Sequence, residues 1–181
     1  MAAVKARLAS GNPHKLEELR AALTGWELEL LETAGPYPSE DGKTYYENAR
    51  AKAAFGRGFA PPDEWVLGED SGIEVAALGG APGIASARWA VDGVAQLLAE
   101  LDGVDDRRAR YVCELVALGP DGEERRGTGV LEGAIAAERR GDEGFGYDPI
   151  FIPAGEERTV AELGNEWKRA NSHRARAAAA I

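Results

Sequence analysis

The spacing of apolar positions changes period twice in the first thirty residues. Residues 4 to 9 read as a strand, and KLEELRAAL then puts Leu16, Leu19 and Leu23 on one helical face. WELELL alternates apolar and acidic side chains as a half-buried strand does, and Pro36 and Pro38 break the chain into a loop. Thr44, Tyr45, Tyr46 and Glu47 fit a capping box that opens a second helix. Two short strands are predicted at 65 to 69 and 73 to 77, separated by a loop and followed by LGGAPG. VAQLLAEL is an amphipathic helix. The segments 110 to 118 and 127 to 135 are strand-like, and PDGEE joins them as an antiparallel hairpin. SHRARAAAAI carries strong helix formers after a Ser172 cap. Helices separated by strands, with one hairpin, predict an α/β or α+β domain around a mixed sheet. There is no internal repeat, and the one low-complexity stretch is the final alanine run.

A chain of 181 residues suits one compact domain with a buried core, and nothing divides it. With 31 Asp and Glu against 21 Lys and Arg, its net charge of -10 repels nucleic-acid backbones and anionic membranes. A bound nucleotide therefore needs a local basic cluster. MAAVKARLASGN lacks the apolar stretch of a secretory signal, and no run is long enough to span a bilayer, so a cytoplasmic protein is expected. The single cysteine, Cys113, lies in YVCELVAL and reads as a small core residue rather than a nucleophile.

Five segments carry candidate chemistry. In SGNPHK, Asn12 is a favoured N-cap and Pro13 a favoured first helical residue, so helix N–H groups open into the loop and form an anion site. Lys15 in that first turn opposes the helix dipole at about 0.3–1 kcal/mol unless an anion lies between them; the alternative is a solvated lysine. KRANSHR repeats the oddity, with His173 and Arg174 in the first turn of the last helix, or else on a basic surface. ENARAK puts Asn48 and Lys52 on one helical face. GFGYDPIF is either a tight turn with core aromatics or a platform where Phe145 and Tyr147 offer flat faces to a base. In GEDSG, Glu69 and Asp70 would face opposite ways in a strand, so a loop allowed by Gly68 and Gly72 is needed for both to serve one Mg²⁺ and phosphate site. The alternative there is an Asx-turn cap.

Taken together, SGNPHK, ENARAKA, GEDSG, LGGAPGIASAR, GFGYDPIF and KRANSHR, in that order over almost the whole chain, resemble the inosine triphosphate pyrophosphatase (Ham-like) family. The resemblance implies an α/β fold, a twisted mixed sheet flanked by helices in a single domain over residues 1–181, with the substrate cleft between two lobes. It implies Mg²⁺-dependent hydrolysis of non-canonical purine nucleoside triphosphates to monophosphate and pyrophosphate, and a homodimer. Carried onto this sequence, Ser10, Gly11, Asn12, Pro13, His14 and Lys15 hold the triphosphate, with Ser10 in place of the family's usual Thr, and Lys52 adds a phosphate contact. Asp70 is the catalytic acid and metal ligand, and Ser71 touches substrate. Phe145, Gly146, Tyr147 and Asp148 line the base pocket, which Lys168, His173 and Arg174 close. The family commonly has two aspartates where this chain has Glu69 and Asp70, which leaves open whether Glu69 shares the metal. A further acidic ligand falls at Ser39 or Glu40, and Glu40 is chosen. A Maf-like pyrophosphatase acting on pyrimidine or methylated nucleotides is the neighbouring enzyme reading, and a nucleotide sensor without turnover is the reading of a different class.

Overall fold

The computed structural model describes residues 3–181. Strand β1 (Val4–Leu8) leads into helix α1 (Pro13–Ala22), followed by β2 (Trp26–Leu30), α2 (Tyr45–Arg57) and β3 (Trp65–Val75). Then come α3 (Gly93–Glu100), β4 (Arg108–Leu118), β5 (Glu124–Ile135), β6 (Phe151–Pro153), α4 (Val160–Asn171) and α5 (His173–Ala178). The strands hydrogen-bond in the order β2-β1-β3-β4-β5-β6. β1 pairs in parallel with β2 and β3, and β5 pairs antiparallel with β6, so the sheet is mixed. Among the described residues no helix is long and apolar enough to cross a membrane.

The chain forms two compact units, each gathered from separate stretches. Unit 1 comprises the chain up to Asp70, Cys113–Gly129 and Arg174–Ile181; unit 2 comprises Ser71–Val112 and Val130–His173. In unit 1 the predicted helical stripe of Leu16, Leu19 and Leu23 packs on Leu8, Leu28, Leu67 and Leu115, with Ala177 and Ala178 of α5 in the same cluster. Gly127 permits that last contact, because a Cβ there would lie 2.0 Å from the Ala177 carbonyl oxygen. Unit 2 is built around Ile73, Val75, Leu97, Leu101, Ile150 and Phe151, all fully buried.

Three local expectations change. The two short strands of 65–77 are one continuous strand ending at Val75, after which Ala76–Leu78 make a 3₁₀ turn. Thr44 caps α2 by accepting from the Glu47 N–H, but Glu47 reaches back to the Lys43 N–H rather than to Thr44, so the box closes one residue early. Ser172 stands at the expected cap position, extended and directly before α5, and it also closes α4, its N–H donating to the Lys168 carbonyl. Helix α4 and strand β6 were not anticipated. α4 opens with a complete capping box, Thr159 with Glu162, yet Gly164 inside it has a φ of 88°, and that break interrupts the periodicity that would have announced the helix.

Candidate functional site

The glycines flanking Glu69 and Asp70 serve close approach, not a loop. A Cβ on Gly68 would stand 2.0 Å from the Ala49 carbonyl oxygen and 2.6 Å from the Ala53 nitrogen, both backbone atoms of α2. Bare at that point, β3 takes α2 directly against it, and the helical face bearing Asn48 and Lys52 meets the end of unit 1's share of the strand. Asn48 Nδ2 donates to Asp70 Oδ2 at 2.9 Å, and Lys52 Nζ reaches Asp70 Oδ1 at 3.3 Å and the Glu69 carbonyl at 3.1 Å. Lys52 also forms an ion pair with Glu40. Asp70 is buried, and burial lifts its carboxyl above the ordinary value, with Lys52 and Asn48 acting against the rise and Glu40 adding to it. Burial pulls the Lys52 ammonium down, but Asp70 and Glu40 outweigh it and leave the group raised. Gly72 does the same service in unit 2, where a Cβ would lie 2.2 Å from the Gly83 carbonyl oxygen.

Because β3 runs unbroken through Glu69 and Asp70, successive side chains leave opposite faces. The Glu69 carboxylate therefore belongs to a second cluster. Its Oε2 faces Lys15 Nζ at 2.6 Å, its Oε1 accepts from Arg174 Nε at 3.0 Å, and Cys113 Sγ is 3.6 Å from that same oxygen. Arg174 Nη1 turns to Glu18 of α1 at 3.1 Å. Burial works to raise the Glu69 carboxyl, but Lys15 and Arg174 hold it well below the usual carboxylate range. Arg174 is raised by Glu69 and Glu18 despite its own burial. Burial and Glu69 push the Cys113 thiol well above its ordinary value, as befits a core residue. Glu69 thus meets Lys15 and Arg174 rather than sharing the Asp70 cluster, and Arg174 lies in unit 1 between two carboxylates. The cations that oppose the dipoles of α1 and α5 both find their counter-charge in Glu69.

The loop Ser10–Lys15 is built as expected. Asn12 caps α1 by accepting from the His14 N–H at 3.0 Å, Ser10 Oγ accepts from the Asn12 N–H at 3.1 Å, and Pro13 opens the helix. Gly11, Pro13 and His14 lie at the surface.

The segment GFGYDPIF forms a third cluster, within unit 2. Asp148, 1% exposed, accepts from the Phe145 N–H at 2.8 Å, from Lys168 Nζ at 2.6 Å and from the Tyr111 hydroxyl at 3.1 Å. Lys168 Nζ lies 3.9 Å from the centre of the Phe145 ring, and that ring is part-exposed. Gly144 leaves room for the Asp148 carboxylate, since a Cβ there would be 2.3 Å from Oδ2. The Tyr147 hydroxyl is directed inward, donating to the Ser86 carbonyl at 3.0 Å, and Gly146 is exposed. The His173 ring stacks on Tyr111 at 4.5 Å with 6° between planes.

The predicted residues thus gather in three groups: Glu40, Lys52 and Asp70; Lys15, Glu69 and Arg174; and Phe145, Asp148, Lys168 and His173. Ser71, part-buried, begins the share of β3 that falls in unit 2. Among the described residues no three His, Cys, Asp or Glu side chains cluster as an all-protein metal cage. The partners missed were Glu18, Tyr111 and the donor role of Asn48. Asn48 had a signal, its helical spacing from Lys52; Glu18 and Tyr111 lie within ordinary-looking helix and strand, distant in sequence from what they touch.

The sequence profile of the Ham1 family matches residues 6–181. The chain is 45% identical over 191 residues to the dITP/XTP pyrophosphatase of Leifsonia xyli subsp. xyli, covering 98% of this chain and 94% of that protein. It is 42% identical over 184 residues to the dITP/XTP pyrophosphatase of Deinococcus radiodurans, covering 96% and 89%. The solved structure of the Staphylococcus aureus Ham1 protein superposes with a TM-score of 0.83 at 35% identity, covering 96% of this chain and 93% of that one.

Proposed function

The chain belongs to the Ham1 family, and on that footing we propose that it hydrolyses non-canonical purine nucleoside triphosphates, of the ITP and XTP type, to the monophosphate and pyrophosphate. The observation that carries the reading is the buried Asp70 and the part-exposed Glu40 with the Lys52 ammonium against both. A pair of carboxylates that already draws a cation, where burial disfavours the bare charge of Asp70, fits a hard divalent ion. Mg²⁺ takes one or two carboxylates and completes its shell with waters and substrate oxygens, so two acids rather than a full cage suffice. Asp70 and Glu40 would hold it, and when bound it neutralises charge on the phosphates and activates water.

The remaining work falls to residues of the chain. The N–H groups at the start of α1 and the hydroxyl of Ser10 bind phosphate oxygens. Lys15 and Lys52 neutralise the leaving pyrophosphate, so that charge developing during cleavage at the α-phosphorus meets fixed cations. Asp70 orients the attacking water and accepts its proton, and Asn48 fixes the plane of that carboxylate. Phe145 offers its ring to the base, and Lys168 offers N–H donors to a 6-oxo group. A 6-amino purine would set donor against donor, a mismatch that rejects substrates by factors on the order of 10⁴. The family resemblance also supports a homodimer, which sedimentation velocity measures directly.

The test is an assay with Mg²⁺ that offers ITP, XTP, ATP, GTP and a pyrimidine triphosphate while following pyrophosphate and free phosphate separately. Pyrophosphate from ITP and XTP in preference to the others is expected. Release of orthophosphate alone, or a preference for the pyrimidine, would overturn the reading.

A further inference from the structure

The geometry points to Tyr111 as a positioning residue for base selection, a role that rests on the reading of Phe145 and Lys168 given above. Tyr111 comes from β4, outside every motif of the chain, and is 7% exposed. Its hydroxyl donates to Asp148 Oδ1 at 3.1 Å, while Lys168 Nζ is held on the other oxygen, Oδ2, at 2.6 Å. One face of its ring stacks on His173 at 4.5 Å, and Phe151 packs beside it at 4.6 Å and 52°. A single side chain on a rigid strand thus touches both the carboxylate that restrains Lys168 and the imidazole of His173.

The consequence is electrostatic. Asp148 is a buried anion whose charge is shared among three donors: Tyr111, the Phe145 N–H and Lys168. In a site of low effective dielectric, donation to one oxygen weakens the pull of the other. The Tyr111 hydroxyl therefore sets how tightly Asp148 holds Lys168, and with it how readily the ammonium turns a donor to the carbonyl of a 6-oxo purine. Without that hydroxyl, Asp148 leans wholly on Lys168 and the Phe145 N–H, and Lys168 is withdrawn from the base. Tyr111 acts through Asp148 on Lys168, which the reading above assigns to the base, so the effect falls on recognition rather than on the cleavage step.

Tyr111→Phe keeps the ring and its stack and removes only the hydroxyl. KM for ITP is expected to rise about tenfold with kcat within about twofold, and the ITP-to-ATP ratio of kcat/KM to fall by a similar factor. Replacement of Tyr111 by 3,5-difluorotyrosine, nearly isosteric and with a stronger donor hydroxyl, is expected to move both quantities the opposite way, and it stands in should Tyr111→Phe not fold. A purely structural role would lower all substrates together and leave the ratio unchanged. That result, or an unchanged ratio in both variants, overturns the proposal. Failure of the unaltered enzyme to release pyrophosphate from ITP would instead strike at the substrate reading itself.

Discussion

Gly68→Ala adds one methyl group at the place where β3 and α2 touch. The new Cβ would lie 2.0 Å from the Ala49 carbonyl oxygen and 2.6 Å from the Ala53 nitrogen, and neither backbone atom can rotate away as a side chain could. Restoring even a 3.0 Å contact requires α2 to retreat by roughly 1 Å. Asn48 and Lys52 ride on that helix, and their contacts to Asp70 at 2.9 and 3.3 Å have no such slack. Overpacking costs about 1–3 kcal/mol, and a lost hydrogen bond to a charged group about 1.5–3 kcal/mol more, so a fall of about 3–5 kcal/mol in unfolding free energy is expected. Elsewhere in a strand, alanine for glycine gains about 0.5–1 kcal/mol, so the sign alone discriminates. A misplacement of this size near reacting groups costs about 10²-fold in rate. Urea denaturation followed by circular dichroism gives the first quantity, and initial rates of pyrophosphate release from ITP give the second. A variant within about 0.5 kcal/mol of the parent and of unchanged kcat/KM would show that close approach of α2 is not what sets the geometry at Asp70.

Three further outcomes follow from the same clusters. Asp70→Asn should leave the fold intact by circular dichroism while turnover of ITP becomes undetectable; retained turnover would remove Asp70 from the catalytic role. Glu69→Gln should lower stability by about 3–5 kcal/mol at pH 7, since it leaves Arg174 and Lys15 without their shared counter-charge. Because the folded Glu69 carboxyl lies below its unfolded value, its contribution is present above the unfolded pKa of about 4.3 and is lost as pH falls through the folded one. The gap between parent and variant, from denaturation curves at several pH values, should therefore narrow below about pH 4. In the metal-free protein the Asp70 carboxyl is raised, so its titration followed by NMR should lie above the ordinary aspartate value of about 3.9, and Asn48→Ala, which removes a group acting against the rise, should move it higher still.

The elements with a clean period were legible in the sequence. The stripe Leu16, Leu19, Leu23, the alternation of WELELL and the PDGEE turn all describe one segment facing one core, and such local signals survive folding unchanged. Asn12, Pro13 and Thr44 likewise act within a few residues of themselves. At Glu69 and Asp70 sequence and structure part because a glycine that looks like local punctuation is there for a distant backbone. Gly68 and Gly72 suggested a loop because sequence reveals conformational freedom but not the arrival of Ala49 or Gly83. The division of labour between Glu69 and Asp70 follows from the alternation of side chains along an unbroken strand, which the two glycines disguise in the sequence. Arg174 and Tyr111 were opaque for a related reason, in that their partners Glu18, Glu69 and Asp148 are far away along the chain.

The Arg174 to Glu69 contact spans 105 residues of sequence and has a consequence for how the protein is made. As the polypeptide leaves the ribosome, Glu18 and Glu69 emerge long before the guanidinium that makes their burial tolerable, and enclosing carboxylates without it is strongly unfavourable. α5, only six residues long, cannot form unaided and must dock to exist. Unit 1 therefore reaches its final form only once Arg174 has been synthesised, and the strands and helices that emerge before it wait, unsealed, for that arginine to close them.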